Sequence, residues 1–464
     1  MGVAAVGIAA LCRFLRDRKA NVAITFAFVL IPALFLTGIS IDYVSASRKK
    51  AKLDALADAA ALAALTPTML HSTAAQAQTA AQDVFKAQTQ SLPGLGFDAN
   101  TNLTVTVNDT ITTRTVTVGY TATSQNYFPG ILNNAQISLA GNSSGSASFP
   151  PNIDFYLLLD NSGSMAIPAT QAGINTMMAN TKGQDGAGVG CAFACHQSNP
   201  SDLSPQNPGG VDNYQLAQNL GVTTRIQLVG SAVKQLANTA TSTAQQNQST
   251  YRMAVYTFNA YANNTAAKMQ VAALTSSLSS IANLPSNAID VMQVYKNNYI
   301  TSSVNNDDMD TDFDSAMSAM NGVMPNPGTG LSGNTPQEIL FIVTDGVNDA
   351  NSSNLLNSCS RSLQGGQRCM EPMDTTWCTR IKNRGIRIAL LYTVYLPMTS
   401  DNWYNTWIAP FQKWNNPTGN DAVATNIQSC ATPGLYASVT TDGDIAGALN
   451  KLFQSAVQMA HLTQ

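Results

Sequence analysis

The chain has 464 residues and a formal net charge of −3, a length that would ordinarily make about three domains. Only 11% of its residues are charged, against about 25% in typical soluble domains, so uncharged polar side chains must cover much of its surface. The nearly neutral charge gives no reason to expect nucleic acid as a partner.

The first predicted element is a membrane-spanning helix. Residues 21–41, "NVAITFAFVLIPALFLTGISI", carry no charge and match the roughly 20 residues that a helix needs to cross a bilayer. We predict a transmembrane helix at residues 20–44. A buried core helix and a cleaved signal peptide are the alternatives, but the run exceeds a signal's apolar region and "SASRKKAKL" offers a poor cleavage site.

The orientation of that helix follows from the cysteines, because the flanking positive charges do not decide it. Four basic residues precede the span and four follow it closely, so the positive-inside rule is tied. Cys12 lies before the span and the other six cysteines lie after it: Cys191, Cys195, Cys359, Cys369, Cys378 and Cys430. An even set fits disulfides in an oxidising compartment, with reduced structural cysteines as the alternative. We therefore predict a cytoplasmic N-terminus at residues 1–19 and an extracytoplasmic bulk.

Six cysteines permit several pairings. Spacing favours Cys191 with Cys195, and the remaining four among themselves.

Beyond the membrane, the pattern predicts a helical stalk at residues 45–92 and a small β module at residues 93–148. Leu53, Leu56, Ala60 and Ala63 recur at helical spacing, and a second, polar helix is expected at about 72–90. Residues 102–122 alternate apolar with polar, which predicts a hairpin that turns at Asn108 and Asp109. A further short strand at about 135–139 and the linker "GNSSGSASFPPN" complete this region.

Residues 149–464 alternate apolar runs with helical patterns. Strands are predicted at 153–159, 251–258, 338–344, 386–394 and about 435–439, and helices at 225–238, 312–323, 375–384 and 443–459. This order is typical of an α/β fold with a doubly wound, mostly parallel sheet. The polar stretches 166–222 and 395–432 are predicted to be irregular insertions.

Oxygen-bearing side chains follow two of the predicted strands and precede one helix. "DNSGSM" supplies Asp160, Ser162 and Ser164; Thr311 precedes the helix at 312–323, and Asp345 follows "EILFIVT". Ligands of an open parallel sheet bind beyond the carboxyl ends of its strands. Hydroxyls and carboxylates without histidine or cysteine suit Mg²⁺, Mn²⁺ or Ca²⁺, and we favour Mg²⁺. The alternative is that the serines form a turn and Asp345 caps a helix.

These motifs resemble the von Willebrand factor A domain and its metal-ion-dependent adhesion site. "DNSGSM", a threonine before a helix and "IVTDG" occur in the order that this family uses. The resemblance implies that Asp160, Ser162, Ser164, Thr311 and Asp345 hold a divalent cation. It also implies that a carboxylate of a protein partner completes the coordination of the metal.

The N-terminal part resembles a second family. A basic lead, a single apolar span and "GISIDYVSASRKKAKLDALADAAALAAL", followed by a small β module, look like the TadG-like proteins of tight-adherence pilus assembly. The resemblance covers roughly residues 18–148. It implies a bacterial inner-membrane protein with one span, a cytoplasmic N-terminus and a periplasmic bulk, which agrees with the cysteine argument.

Other motifs admit competing interpretations. Asp307, Asp308, Asp310, Asp312 and Asp314 alternate like the start of an EF-hand loop, but Phe313 occupies the glycine position, so we expect Asp312 and Asp314 to favour the N-terminus of the next helix instead. "CAFACH" has three residues between its cysteines, not the two of a haem-attachment motif. Trp403, Tyr404, Trp407 and Trp414 are either partner contacts or the small core of an insertion.

The sequence argues against an enzyme. The chain has three histidines, no nucleophile beside a plausible base and no glycine-rich phosphate loop. Metal-assisted hydrolysis is the remaining catalytic alternative. The sequence thus predicts a membrane-anchored, metal-dependent protein-binding module in assembly or anchoring of a Tad-type surface pilus. The alternative is a structural packing component in which the metal only stabilises the fold.

Overall fold

The structure is a computed structural model. It describes residues 18–110, 113–132, 134–182, 190, 213–259, 265–291, 310–363, 366–395, 397–399, 404–412, 421–440 and 442–462. The chain divides into two compact units, Met1–Phe149 and Pro150–Gln464. As predicted, the fold is mixed α/β with a long apolar helix near the N-terminus.

The first unit combines helices with a four-stranded antiparallel sheet. Its helices are α1 (Arg18–Ala63), α2 (Pro67–Leu70), α3 (Ala74–Thr89), α4 (Ala99–Asn102) and α5 (Pro129–Leu132). Its strands are β1 (Leu95–Gly96), β2 (Leu103–Asp109), β3 (Thr113–Gln125) and β4 (Gln136–Ser148). β3 lies at the centre of this sheet and pairs with each of the other three strands.

The first half of α1 is apolar and exposed. Phe26, Phe28, Leu34 and Leu36 are among the large apolar side chains that lie open along it. Among the described residues, the 40 residues Ile24–Ala63 form one helix long and apolar enough to cross a membrane. An exposed apolar surface of this length is costly in water, which is consistent with the predicted membrane anchor.

The second half of α1 packs on the small sheet. Leu53, Ala57 and Ala60 are fully buried and share one core with Phe85 of α3 and Val116 of β3. Small side chains at these positions allow the helices and the sheet to approach closely. The predicted stalk and the predicted β module therefore form one compact body.

Two predictions for this unit need correction. The predicted linker "GNSSGSASFPPN" is strand up to Ser148, because Gly141–Ser148 continue the pairing of β4 with β3. Serine and glycine composition alone suggested a linker, whereas eight of the thirteen residue pairs between β3 and β4 hold Gly141–Ser148 extended. Asn108 and Asp109 lie at the end of β2 and not in the turn. Asp109 accepts two hydrogen bonds from the buried Arg114, each at 2.7 Å.

The second unit contains most of the secondary structure. Its helices are α6 (Gln171–Asn180), α7 (Asn213–Asn219), α8 (Arg225–Asn247), α9 (Ala266–Met269), α10 (Leu278–Ala282), α11 (Phe313–Val323), α12 (Thr376–Asn383), α13 (Ala422–Cys430) and α14 (Ile445–Leu462). Its strands are β5 (Ile153–Asp160), β6 (Tyr251–Phe258), β7 (Gln270–Thr275), β8 (Gln337–Thr344), β9 (Val347–Asn351), β10 (Ser362–Leu363), β11 (Arg368–Pro372), β12 (Arg387–Thr393) and β13 (Tyr436–Val439). Short 3₁₀ or π turns lie at Gly163–Ala166, Ser352–Asn354, Tyr404–Ile408 and Ala409–Phe411.

A six-stranded mixed sheet organises this unit in the order β13-β12-β8-β5-β6-β7. The first five strands are parallel and β7 is antiparallel at the edge. Alternate residues of β5 enter different cores: Phe155 and Leu157 pack with α8 and α14, while Tyr156 and Leu158 pack with α11 and α13. Burial on both faces explains why the strands read as continuous apolar runs. The five predicted strands are confirmed.

Several elements of this unit were not predicted from the sequence. β7 and the three-stranded antiparallel sheet β10-β11-β9 were not predicted, because short strands on an edge carry little apolar patterning. The stretches 166–222 and 395–432 were predicted to be irregular, yet their described parts contain α6, α7 and α13. These helices bury few but specific side chains, such as Ile174, Ala217 and Ile427.

Candidate metal centre

The carboxyl end of β5 brings three of the predicted ligands together. Asp160 is the last residue of this buried strand, and the 3₁₀ turn at Gly163–Ala166 begins three residues later. The backbone N–H of Ser162 donates to Asp160 Oδ1 at 3.0 Å. The hydroxyl oxygens of Ser162 and Ser164 lie 3.1 Å apart. All three side chains are buried.

The neighbouring strand β8 delivers the fourth predicted ligand. Asp345 follows β8 directly and is fully buried, and the Ser164 hydroxyl donates to its Oδ2. The hydroxyl of Thr344 donates to Asp160 Oδ2 at 2.7 Å. Gly346 has a φ of 78°, a left-handed conformation that favours glycine and turns the chain away after Asp345. Because β5 and β8 are adjacent and parallel, residues 181 positions apart meet at one edge.

Thr311 lies close to this segment but is joined to it differently. Its backbone exchanges two hydrogen bonds with Asp349, at 2.9 Å and 2.8 Å. Its side chain is buried, and Phe313, two residues on, donates its N–H to Asn348 Oδ1 at 2.9 Å. These contacts fix the backbone of Thr311. That its hydroxyl is a metal ligand stays a prediction.

The electrostatics of the four clustered side chains favour a neutralised site, either by a proton or by a cation. Burial, and then the charge of Asp345, raise the pKa of Asp160. Burial likewise raises the pKa of Asp345, while hydrogen bonds from Ser164 and Tyr395 act in the opposite direction. Two ionised carboxylates side by side in a dry site repel each other. A divalent cation would relieve that repulsion, and the donor set of carboxylate and hydroxyl oxygens is the chemistry that Mg²⁺ prefers.

Arg225 and Tyr395 were not predicted as site residues, and both interact with Asp345. Tyr395 forms a hydrogen bond with the Asp345 carboxylate, and burial raises the pKa of Tyr395 well above its ordinary value. The Arg225 guanidinium lies 5.5 Å from the Tyr395 ring centroid and donates to the carbonyl oxygen of Val394 at 2.8 Å. Arg225 is buried, and its charge interacts favourably with Asp345. This arginine offsets part of the negative charge of the site.

The acidic cluster after residue 306 acts as a helix start where it is described. Asp312 is the N-cap of α11 and accepts from the backbone N–H of Ser315 at 2.9 Å. Asp314 lies in the first turn, accepts from the N–H of Leu356 at 2.9 Å, and has its pKa raised to about 6 by burial. Both residues therefore lie at the N-terminus of α11, as predicted, and Asp312 caps it. Asp307 and Asp308 lie outside the described residues.

Two disulfides confirm part of the cysteine prediction. Cys359 pairs with Cys369 and Cys378 pairs with Cys430. The second bridge connects α12 with the end of α13, across 52 residues of chain, and closing so long a loop restricts the unfolded chain. Cys191 and Cys195 lie outside the described residues.

The aromatic residues of the 395–432 stretch are described in part. Tyr404 is buried and its hydroxyl donates to Gln412 Oε1 at 2.7 Å. Trp407 packs against the same core, and the Arg361 guanidinium lies 4.9 Å from its ring centroid. These contacts favour the small-core interpretation for Tyr404 and Trp407. Trp403 and Trp414 lie outside the described residues.

Comparison with known proteins bears on the N-terminal region. A family model described as putative Flp pilus-assembly TadE/G-like matches residues 20–83. This range holds most of α1, all of α2 and part of α3. No curated protein matches the chain. The match supports the TadG-like resemblance, suggests involvement in Flp pilus assembly, and is consistent with a membrane-anchored pilus protein.

Proposed function

We propose that this protein is a membrane-anchored, metal-dependent protein-binding module that assembles or anchors a Tad-type surface pilus. The family match at residues 20–83 supports the pilus context. The second unit would be a von Willebrand A domain with a doubly wound sheet, and its site would bind a partner and catalyse no reaction. The partner would be a pilus component or surface ligand.

The observation that carries this proposal is the meeting of Asp160, Ser162 and Ser164 with Asp345. Two buried carboxylates and two hydroxyls converge at the carboxyl edge of a parallel sheet, where such sheets bind ligands. These four residues, with Thr311, would hold Mg²⁺ or, in its place, Mn²⁺ or Ca²⁺. A bound cation would supply an electrophilic position for one oxygen of a partner's carboxylate.

The disulfides support the proposed location. Cysteines that are paired in the structure persist in oxidising compartments and are rare in the cytosol. We therefore propose that the second unit lies in the periplasm of a bacterial cell and that the N-terminus is cytoplasmic. A reporter that is active only in the periplasm, fused after Gln464, should be active. A stable but silent fusion would reverse this topology.

A structural role is the second candidate function. Arg225 and Tyr395 surround Asp345 from within the fold, so the metal and the arginine would together neutralise the site and hold β5 and β8 in register. In that case the metal would stabilise the second unit without any partner.

A metal-dependent crosslink separates the two candidates. A photoreactive amino acid at Ala172, which is exposed on α6, is introduced into the full chain expressed with the pilus components. Binding through the metal predicts a crosslinked product that EDTA abolishes and that Asp160→Ala also abolishes, while the variant keeps both disulfides. A product of equal yield with and without EDTA would exclude the adhesion mechanism. Excess Mg²⁺ should restore the product after EDTA.

A further inference from the structure

A cavity in the first unit lies where α1 changes from apolar to basic. Its volume is about 530 Å³, and part of its lining comes from one stripe of α1. The stripe consists of Thr37, Ile41, Val44, Ser45, Arg48 and Lys52. Spacings of three and four residues place these side chains on one face of the helix. Along this face the lining therefore changes from apolar and hydroxyl-bearing to cationic.

The position along the helix matches the edge of a bilayer. Ile41 ends the uncharged run that begins at residue 21, and Arg48 lies about 10 Å further along the helix axis at 1.5 Å per residue. Helical side chains lean toward the N-terminus of their helix. Arg48 and Lys52 therefore lean back toward the membrane, where long basic side chains reach the phosphate level.

An aromatic turn lies against the same cavity. Tyr127 lines it and is 68% exposed, and Phe128 beside it is also exposed. Asp42 of α1 is buried and accepts from the backbone N–H groups of both residues, at 2.7 Å and 3.3 Å. Exposed tyrosine at the end of an apolar span is typical of the membrane interface. Asp42 therefore holds two aromatic side chains at the level where the span ends.

The basic groups differ in their engagement with the protein. Lys49 donates to the Gly94 carbonyl and to the Ser124 hydroxyl, each at 3.0 Å, and so connects α1 to the sheet. Lys50, on another face of the helix, pairs with Asp54 at 2.8 Å. Arg48 and Lys52 form no ion pair with any described carboxylate, and both line the cavity. Lys49 lines the cavity as well, but its ammonium is engaged by Gly94 and Ser124, so among the described lining residues Arg48 and Lys52 are the cations best placed for an anionic ligand.

We propose that this cavity binds the headgroup of an anionic phospholipid, with its phosphate between Arg48 and Lys52 and its glycerol and acyl region against Ile41 and Val44. The guanidinium of Arg48 can donate two parallel hydrogen bonds to a phosphate. The hydroxyl of Ser45 adds a polar group on the same face. The lipid would fix the first unit at the membrane surface, independently of the metal proposed for the second unit.

The test uses the full chain in nanodiscs that contain phosphatidylcholine with a minority of phosphatidylglycerol, and native mass spectrometry counts the retained lipids. Wild type should retain phosphatidylglycerol in preference to phosphatidylcholine. The double variant Arg48→Gln/Lys52→Gln should lose about thirtyfold in that preference. Each of the two cations strengthens the attraction to an anionic lipid by a similar factor, and the two factors multiply. Unchanged preference in this variant would overturn the proposal.

Two further variants distinguish a cavity from general attraction between charges. Lys50→Gln removes one charge from the same helix but outside the cavity, so preference should be retained; an equal loss per charge removed would reduce the effect to surface attraction and overturn the proposal. Ser45→Trp fills the cavity without changing charge and should abolish the preference. Retained preference in Ser45→Trp would also count against the cavity.

Inorganic phosphate tests the source of the ligand. Excess inorganic phosphate should leave the retained phosphatidylglycerol nearly unchanged, because the apolar part of the cavity contributes only with a lipid. Complete displacement of the lipid by phosphate would show that the site binds a free phosphate ion and that the lipid assignment is wrong.

Discussion

A pair of buried acidic side chains lies at each end of the neighbouring strands β5 and β8, and the two pairs have different surroundings. At the amino ends, Asp154 and Glu338 are direct neighbours across the two strands. At the carboxyl ends, the Thr344 hydroxyl donates to Asp160 and the Ser164 hydroxyl donates to Asp345. Both pairs are buried, so both must be neutralised by a counter-charge, a proton or an ion.

The amino-end pair is neutralised by the protein itself. Arg252 of β6 lies beside Asp154 and donates to it through two nitrogens, the Nε contact being 2.7 Å. Burial and the charge of Asp154 raise the pKa of Glu338 to about 8, so Glu338 is mostly protonated at neutral pH. One ion pair and one proton therefore neutralise the two acidic side chains at this end.

The carboxyl-end pair has hydroxyls where the amino end has an arginine. Ser162, Ser164 and Thr344 surround Asp160 and Asp345, and Arg225 is placed behind Tyr395. Hydroxyls are metal ligands, whereas a guanidinium excludes a metal from the carboxylate that it binds. Of these two ends, the carboxyl end is therefore the one at which the proposed cation would bind.

The largest expected effect comes from breaking the amino-end ion pair. Arg252→Met leaves Asp154 buried without its partner. It should reduce the free energy of unfolding by about 3 kcal/mol, at the lower end of the range for buried pairs because Arg252 is 35% exposed. Chemical denaturation of the full chain in detergent measures this loss. Adding Asp154→Asn should recover part of it; a loss that Asp154→Asn deepens would show that Arg252 stabilises by packing alone.

A metal effect of slightly smaller size should be confined to the carboxyl end. At a Mg²⁺ concentration of 100 times the dissociation constant, binding to the folded state should add about 2.7 kcal/mol to the free energy of unfolding. Asp345→Asn should remove this increment, and Asp154→Asn, a matched change at the amino end, should keep it. An equal Mg²⁺ effect in both variants would mean that the ion binds elsewhere.

Much of the second unit could be predicted from sequence because its strands are buried on both faces. "IDFYLLLD" and "EILFIVT" are almost continuously apolar; the first ends in Asp160 and the second is followed directly by Asp345, and the parallel sheet carries both aspartates to the same edge. Local spacing predicted Ser162 and Ser164 beside Asp160, since these residues lie within one turn. The grouping of these residues with Asp345 depended only on strand order.

The rest depended on contacts that leave no local pattern. Arg225 begins a helix and Tyr395 follows a strand, and each position has an ordinary local explanation. Only folding places them behind Asp345. The same holds for Asp42, whose carboxylate accepts from residues 85 and 86 positions away. The predicted helix at residues 20–44, which contains Asp42, suggested only a membrane anchor.

The smallest expected effect, when it is taken over a single pH unit, is the pH dependence contributed by Glu338. Its pKa is raised from 4.5 to about 8, so the folded state holds this proton more tightly than the unfolded state. The resulting stabilisation is fully present below pH 4.5 and is lost as pH rises toward the folded pKa. Across one pH unit within this interval, the free energy of unfolding should fall by about 1.4 kcal/mol from this group.

Glu338→Gln isolates that contribution, because glutamine keeps the shape of the protonated acid and cannot ionise. The variant should lose this slope, which denaturation at a series of pH values measures, and Glu371→Gln should retain it. Asp154 raises the pKa of Glu338, while Arg252 and Arg384 lower it, so Arg252→Met should move the slope to higher pH. An unchanged slope in Glu338→Gln would assign the pH dependence to other buried carboxyls, such as Asp314 or the carboxyl-end pair, and the amino end would then be neutralised without a proton on Glu338.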